Sequence, residues 1–199
     1  MSLPESSDVV VVGGGVMGAS AAFHLAEAGV SVVLVERGEL SGGSTSKAAG
    51  GVRANFSDEL NIMLGKRSLD LFADFPQRPG QEIDLHRSGY LFVLTRPEDV
   101  ELFTASVTLQ NSLGVESRMV DVDEACRLSP LLDPEGVLAA AWSPHDGHCT
   151  PESVVLGYAT GARRLGATVR TGVAVTGIST SGGEIPSVLA VVPTCAPGE

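Results

Sequence analysis

Gly13-Gly14-Gly15-Val16-Met17-Gly18 stands between a run of four valines, Val9 to Val12, and an alanine-rich segment; eighteen positions after Gly18 (36 − 18) an acid, Glu36, closes a second apolar run. The chemistry such a stretch can do is backbone chemistry. A pyrophosphate needs unpaired N–H groups and a positive dipole end, which a helix starting near Gly15 supplies through Val16 and Met17. Gly13 allows the turn, Gly15 the close approach of a ligand, and Gly18 the tight packing of helix on strand. A carboxylate at Glu36 can accept both hydroxyls of a ribose.

The elements that must position these residues are readable around them. Val9 to Val12 is a β-branched run bounded by glycine, the pattern of a strand buried on both faces. Gly15 to Ala28 is rich in helix formers and apolar almost all round, with Gly29 as its stop, and so predicts a buried helix. Val30 to Val35 is a second buried strand, completing a right-handed βαβ unit. Glu36 disfavours a 2′-phosphate and so argues against NADP, but the unit leaves FAD and NAD unseparated.

Glu39 to Gly51 reads as loop. Ser57 is placed to cap a helix whose residues Leu60, Met63, Leu64, Leu71 and Phe75 share a face, and Pro76 to Gly80 is punctuation. Gly89 to Leu94 predicts a strand, Pro97 starts a helix ending near Gly114, and Asp121 to Glu124 forms a capping box for a short helix before Pro130. Val137 to Trp142 predicts a strand and Ser143 to Cys149 a loop. Thr150 as cap with Pro151 starts a helix stopped by Gly166; Ala167 to Ile178 predicts a strand pair, and no element is assigned from Ser179 to Glu199.

The 199 residues are 43% hydrophobic and 19% charged, ordinary values for a globular chain with a sizeable core. A net charge of −11 without any Lys/Arg run excludes nucleic acid as a partner. No stretch approaches the roughly 18 apolar residues of a membrane span, and the N-terminus has no secretory pattern. Cys126, Cys149 and Cys195 lack metal spacing and predict free thiols in the cytoplasm. His145, Asp146, His148 and Cys149 are the one dense group of potential ligands, but their crowding lacks the spacing of a zinc site, so no metal is assigned. His24 reads as a packed histidine.

Gly43-Ser-Thr-Ser-Lys-Ala-Ala-Gly-Gly-Val-Arg53 resembles the segment after the ribose-binding acid in the FAD-dependent amine and amino-acid oxidases, the group that includes sarcosine oxidase, dimethylglycine dehydrogenase, glycine oxidase and D-amino-acid oxidase. Gly50 to Ser57 with Asn61-Ile62 resembles the sarcosine-oxidase β-subunit-like branch. The likeness runs through Gly89-Tyr90-Leu91, Pro130-Leu131 and Asp146-Gly147 to about Ile178, the N-terminal half of a typical member.

That resemblance implies an α/β fold, an FAD-binding Rossmann-like βαβ domain with an inserted α+β substrate domain, lacking the C-terminal half. Residues 1–80 and 146–178 would be the two parts of the FAD domain, 81–145 a portion of the substrate domain, and 179–199 an atypical tail where a member would continue into a hairpin. Ser44, Thr45 and Ser46 would line the FAD pyrophosphate and ring, and the backbone of Val175 would meet the adenine; Arg37 and Gly51 complete the cofactor-binding set. Lys47 stands where the dimethylglycine dehydrogenase branch carries a flavin-linked histidine, so noncovalent FAD is implied. Arg53 matches the arginine that pairs with a substrate carboxylate in monomeric sarcosine oxidases.

The implied reaction is oxidation of the C–N bond of a secondary or tertiary amine or amino acid by hydride transfer to flavin. The alternative is a catalytically incomplete FAD-binding fragment whose open sheet edge would invite a second copy or a partner chain.

Overall fold

The computed structural model describes residues 3–181 and 184–191. In chain order the elements are β1 (Val9–Val12), α1 (Val16–Glu27), β2 (Val32–Val35), a 3-10 turn (Thr45–Lys47), β3 (Gly51–Val52), α2 (Glu59–Ala73), β4 (Tyr90–Leu94), α3 (Pro97–Ser112), β5 (Arg118–Val120), α4 (Val122–Leu128), β6 (Ala139–Ser143), β7 (Gly147–His148), α5 (Pro151–Arg164), β8 (Thr168–Arg170), β9 (Ala174–Ser181) and β10 (Glu184–Val191). They form two compact units. One comprises Met1–Ala49, Pro76–Ile83 and Thr150–Glu199, the other Gly50–Phe75 and Asp84–Cys149.

The first unit is built on a parallel sheet of order β1-β2-β8. All four residues of β2 are buried, as its uninterrupted Val-Val-Leu-Val requires of the central strand of a parallel sheet. Helix α1 packs on β1 and β2 and on α5, burying Ala19, Ala22, Phe23 and Ala26. The approach to α5 is close: a Cβ added at Gly161 would stand 2.9 Å from the Phe23 ring, and Phe23 and Tyr158 rings lie 5.5 Å apart. Burial is not all round, however. Met17 is 81% exposed, because it leaves the helix on the side turned away from both sheet and α5. The stop at Gly29 is a Schellman motif, with φ +81° at Gly29, its N–H on Ala26 C=O and Val30 N–H on Leu25 C=O.

Strands β9 and β10 pair antiparallel, Ser179 opposite Ser187 and Val175 opposite Ala190. From Ser179 to Val191, where the sequence assigned no element, the structure thus has the end of β9 and the whole of β10; the register shifts between Glu184 and Ser187, where Pro186 falls, so the proline that hides the strand sits at an irregularity. Residues 192–199, Cys195 among them, lie outside the described residues.

The second unit holds an antiparallel sheet of order β4-β6-β5 and a short β3–β7 pair. Strands β5 and β7, at three and two residues, carry too little periodicity to be read beforehand. Gly50–Phe75 belongs to this unit and not to the nucleotide-type unit that a boundary at residue 80 would give it. The reason is twofold: β3 pairs Gly51 with His148, and Ile62 and Leu69 of α2 pack on Ala54 and Val115, with Leu109 and Leu113 alongside.

The buried face of α2 is therefore Ile62, Gly65 and Leu69, while Leu60, Met63 and Leu64 are 67%, 55% and 54% exposed. The face expected from hydrophobicity loses to one containing glycine, because only glycine lets α2 lie directly on the main chain of Arg53: a Cβ at Gly65 would come 2.7 Å from the Arg53 carbonyl oxygen. Asp58 rather than Ser57 caps α2, its Oδ1 accepting Asn61 N–H at 3.0 Å and its Oδ2 the Asn61 amide at 2.8 Å. Asp121 caps α4 through Glu124 N–H at 2.8 Å, whereas Thr150 makes no side-chain cap on α5.

Candidate functional site

In the first unit the chain turns from β1 into α1 on Gly13, whose φ of +109° is closed to side chains. Gly13 N–H continues the sheet onto Val35 C=O at 2.8 Å. Space is then removed residue by residue. A Cβ at Gly18 would fall 2.0 Å from the Gly13 carbonyl oxygen, at Gly14 2.6 Å from Leu40 and at Gly15 3.3 Å from Thr45 Oγ1. The three glycines make a cradle at the start of α1, and no acid in the first turn neutralises the positive end of its dipole.

Two other segments close on that cradle. Glu36, at the end of β2, accepts Gly14 N–H at 2.7 Å on one oxygen and Gly38 N–H at 2.7 Å on the other. These two bonds, Gly14 first, hold its carboxyl below the usual range, with Arg37 adding a favourable charge. An ionised carboxylate has about four acceptor positions, so capacity remains for a donor from a ligand. Thr45 Oγ1 accepts Val16 N–H at 3.2 Å, and Ser41 N–H bonds Gly14 C=O at 2.9 Å. Gly15, Glu36, Arg37, Gly38, Glu39, Gly42 and Gly43 line a cavity of about 260 Å³.

Of the residues expected at a nucleotide, the fold brings together Gly13, Gly15, Val16, Met17, Gly18, Glu36, Arg37 and Thr45. Ser44 and Ser46 stand on the 3-10 turn beside Thr45 and are exposed; Ser46 Oγ donates to Gly43 C=O at 3.1 Å. Val175 is on β9 and packs against the Val33, Val35 and Val173 cluster. Gly51 lies in β3 of the second unit, where a Cβ would meet Tyr90 Oη at 2.8 Å.

Arg53 is also in the second unit. Its guanidinium lies over the rings of Phe56, Phe92 and Tyr90 at 4.7, 5.3 and 5.9 Å from their centroids, a stacked cation held flat. Among the described residues no carboxylate pairs with it. Gln110, buried on α3, donates to the Phe56 carbonyl at 2.7 Å and so fixes the segment that carries the arginine. Arg53, Asn55, Phe56, Phe92, Phe103 and Gln110 line part of a cavity of about 170 Å³. A guanidinium with free N–H edges over an apolar floor binds a carboxylate in two parallel hydrogen bonds. The cage was missed in sequence, although its signal was present: Tyr90 and Phe92 are two apart on a strand and must share a face.

The crowded loop disperses to separate partners. His145 bonds Glu116 at 2.9 Å, His148 stacks on His86 at 5.1 Å, Cys149 is buried with its thiol pushed up by desolvation, and Asp146 accepts Ala54 N–H at 2.9 Å. Cys126 and Cys149 are free thiols. Among the described residues no helix is long and apolar enough to cross a membrane.

A strand–glycine cradle–helix ending on a ribose-type acid, in one chain with a caged arginine, defines a nucleotide-cofactor protein. The chain belongs to the FAD dependent oxidoreductase family, whose model matches residues 8–198. The members are enzymes and their cofactor is FAD; at the start of α1 a Cβ at Gly14, Gly15 or Gly18 would meet a neighbour within 3.3 Å, so the backbone there stays bare, which is what a diphosphate requires.

The chain is 34% identical over 176 residues to the mitochondrial dimethylglycine dehydrogenase of Rattus norvegicus, covering 87% of this chain and 20% of that protein. It is 32% identical to the formaldehyde-forming 4-methylaminobutanoate oxidase of Paenarthrobacter nicotinovorans, over 94% of this chain and 23% of that one. Among solved structures, L-proline dehydrogenase from P. horikoshii superposes with a TM-score of 0.89 at 34% identity, over 94% of this chain and 50% of the other. The chain therefore spans about a fifth of those curated relatives and half of that structure.

Proposed function

We propose that this chain is the FAD-binding and carboxylate-recognising portion of an oxidoreductase acting on the C–N bond of a secondary or tertiary amine or of an amino acid, of the N-methylglycine, N,N-dimethylglycine, glycine or proline type. The observation that carries the substrate class is Arg53, a stacked guanidinium with no carboxylate partner among the described residues. The flavin, when bound, accepts the hydride taken from the carbon beside nitrogen. Everything else is binding and orientation.

The α1 N-terminus and the Gly15 backbone hold the diphosphate, with Thr45, Ser44 and Ser46 beside them. Glu36 accepts the ribose hydroxyls, and the Val175 backbone meets the adenine. Lys47, an exposed amine at the end of the 3-10 turn, offers no imidazole for a covalent link, so FAD is held noncovalently. Arg53 takes the substrate carboxylate and thereby fixes which carbon is presented. The free thiols of Cys126 and Cys149 are in keeping with a reducing cytoplasm. A second reading, in which the chain holds FAD but turns over only with further polypeptide, as part of a longer chain or from a partner, is favoured by its spanning half of L-proline dehydrogenase.

The test is the visible spectrum of the purified chain with FAD, followed under anaerobic conditions as sarcosine, dimethylglycine, glycine or proline is added. Bleaching by one of them, lost in Arg53→Gln, is the expected result. A protein that retains no flavin refutes both readings, and bound flavin that no amine reduces leaves the second.

A further inference from the structure

Asp146 is a buried acid, 1% exposed, in a loop that the reaction does not otherwise use. Among the described residues it bonds no side chain. Its Oδ1 accepts Ala54 N–H at 2.9 Å, with Asn55 N–H also directed at the carboxylate, and its own main-chain carbonyl accepts Gly89 N–H at 2.8 Å. Ala54 is the residue after Arg53, and Gly89 the residue before Tyr90. One residue thus ties the segment carrying Arg53 and Phe56 to the strand carrying Tyr90 and Phe92, the cation to the rings it lies on.

The surroundings leave that residue little freedom. A Cβ at Gly147 would stand 1.9 Å from the His86 carbonyl oxygen, and a Cβ at Gly89 1.8 Å from the Trp142 ring. The residue after Asp146 is therefore packed against backbone, and its partner Gly89 against the Trp142 ring. An acid bonded directly to Arg53 would occupy the N–H groups a ligand needs. Asp146 instead uses its oxygen on the main chain behind the arginine, so the guanidinium edge stays available.

We propose that Asp146 is the positioning residue for Arg53, holding the guanidinium on its aromatic cage in the orientation that receives a carboxylate; this rests on the reading of Arg53 as the carboxylate anchor. Asp146 touches neither substrate nor cofactor and acts only through the Ala54 and Gly89 bonds.

The test is a binding comparison on the purified chain in excess FAD, by calorimetric titration with N-methylglycine and with dimethylamine, the same amine without its carboxylate. Wild type is expected to prefer N-methylglycine, and Arg53→Gln to lose that preference. Asp146→Ala is expected to lower the preference by roughly tenfold or more while dimethylamine affinity stays within about twofold, since misalignment of about an ångström has effects of this size. Asp146→Asn, which keeps an oxygen facing Ala54 N–H, is expected to retain the preference to within about threefold.

An Asp146→Ala variant that keeps the preference, or loses both ligands equally, overturns the proposal alone. Arg53→Gln indistinguishable from wild type, or no preference in wild type, overturns the reading of Arg53 and the proposal with it. Amide hydrogen exchange in the wild type keeps the matter decidable should Asp146→Ala not fold: Ala54 is expected to be protected like a core amide, and exchange at the rate of an exposed one overturns the proposal.

Discussion

Gly18→Ala adds one methyl group where α1 crosses the Gly13 turn. Its Cβ would stand 2.0 Å from the Gly13 carbonyl oxygen, against 3.4 Å where ordinary contact begins, a shortfall of 1.4 Å (3.4 − 2.0) between two backbone elements that no rotamer change relieves. The helix has to retreat from β1. On its far side it meets α5, where Phe23 already lies 2.9 Å from the Cβ position of Gly161, so retreat compresses a second contact.

Overpacking of this kind costs about 1–3 kcal/mol, and the upper end applies because the contact at Gly18 is main chain against main chain. Alanine returns about 1 kcal/mol of helix propensity. The net is about 2 kcal/mol, a fall in Tm of roughly 4–8 °C for a chain of this length. The N–H groups of the first turn move with the helix, and a hydrogen bond lengthened by an ångström is lost, so FAD affinity is expected to fall by about tenfold or more. The assay is thermal unfolding without FAD together with a fluorescence titration of FAD. Gly43→Ala is the control: its Cβ meets no atom within 4 Å, and it should change stability by no more than about 0.5 kcal/mol. A Gly18→Ala protein with unchanged or raised Tm and unaltered FAD binding refutes the reasoning.

Glu36→Gln leaves one oxygen for two backbone donors and is expected to weaken FAD by roughly tenfold in the same titration. Because Glu36 has a lowered pKa when folded, its contribution to stability is present above the usual value of 4.5 and lost as pH falls through the folded value; urea unfolding of the variant should show a flatter acid limb. Gly65→Ala places a Cβ 2.7 Å from the Arg53 carbonyl oxygen, so it should weaken carboxylate-bearing ligands in calorimetry and lower stability by about 1–3 kcal/mol. Asp146 has the opposite sign to Glu36: burial raises its pKa, so its favourable contribution is complete below 3.8 and declines as pH rises through the folded value. Asp146→Asn should therefore gain on wild type in urea unfolding as the pH is raised across that interval.

The parts of this fold legible in the sequence are those with local causes. Val9 to Glu36 announces itself because glycine, strand and helix each have their own pattern there, although β1 is only partly buried and its Val12 is exposed, and the family likeness of Ser44 to Arg53 separated FAD from NAD. What escaped depends on partners far along the chain. The working face of α2 contains Gly65, which hydrophobicity ranks below Leu60 and Met63, because its partner is the Arg53 carbonyl and not a side chain. Asp146 looked like a crowded ligand group; its bond to Ala54 spans 92 residues and has no local signature. Gly50–Phe75 went to the wrong unit for the same reason, its allegiance set by the distant β7. The hairpin of β9 and β10 was obscured by Pro186, which the register shift accommodates.

The order β1-β2-β8 also has a consequence for synthesis on the ribosome. Strand β2 finds β1 almost at once, but on its other side Val33 pairs with Thr168, 135 positions further on (168 − 33). At about 5–20 residues per second, that interval is roughly 7–27 s. Throughout it the chain presents Val32 to Val35, four adjacent apolar residues, as an open strand edge. The strand that anchors Glu36 thus waits for its second neighbour, β8, while residues 36 to 170 are being made.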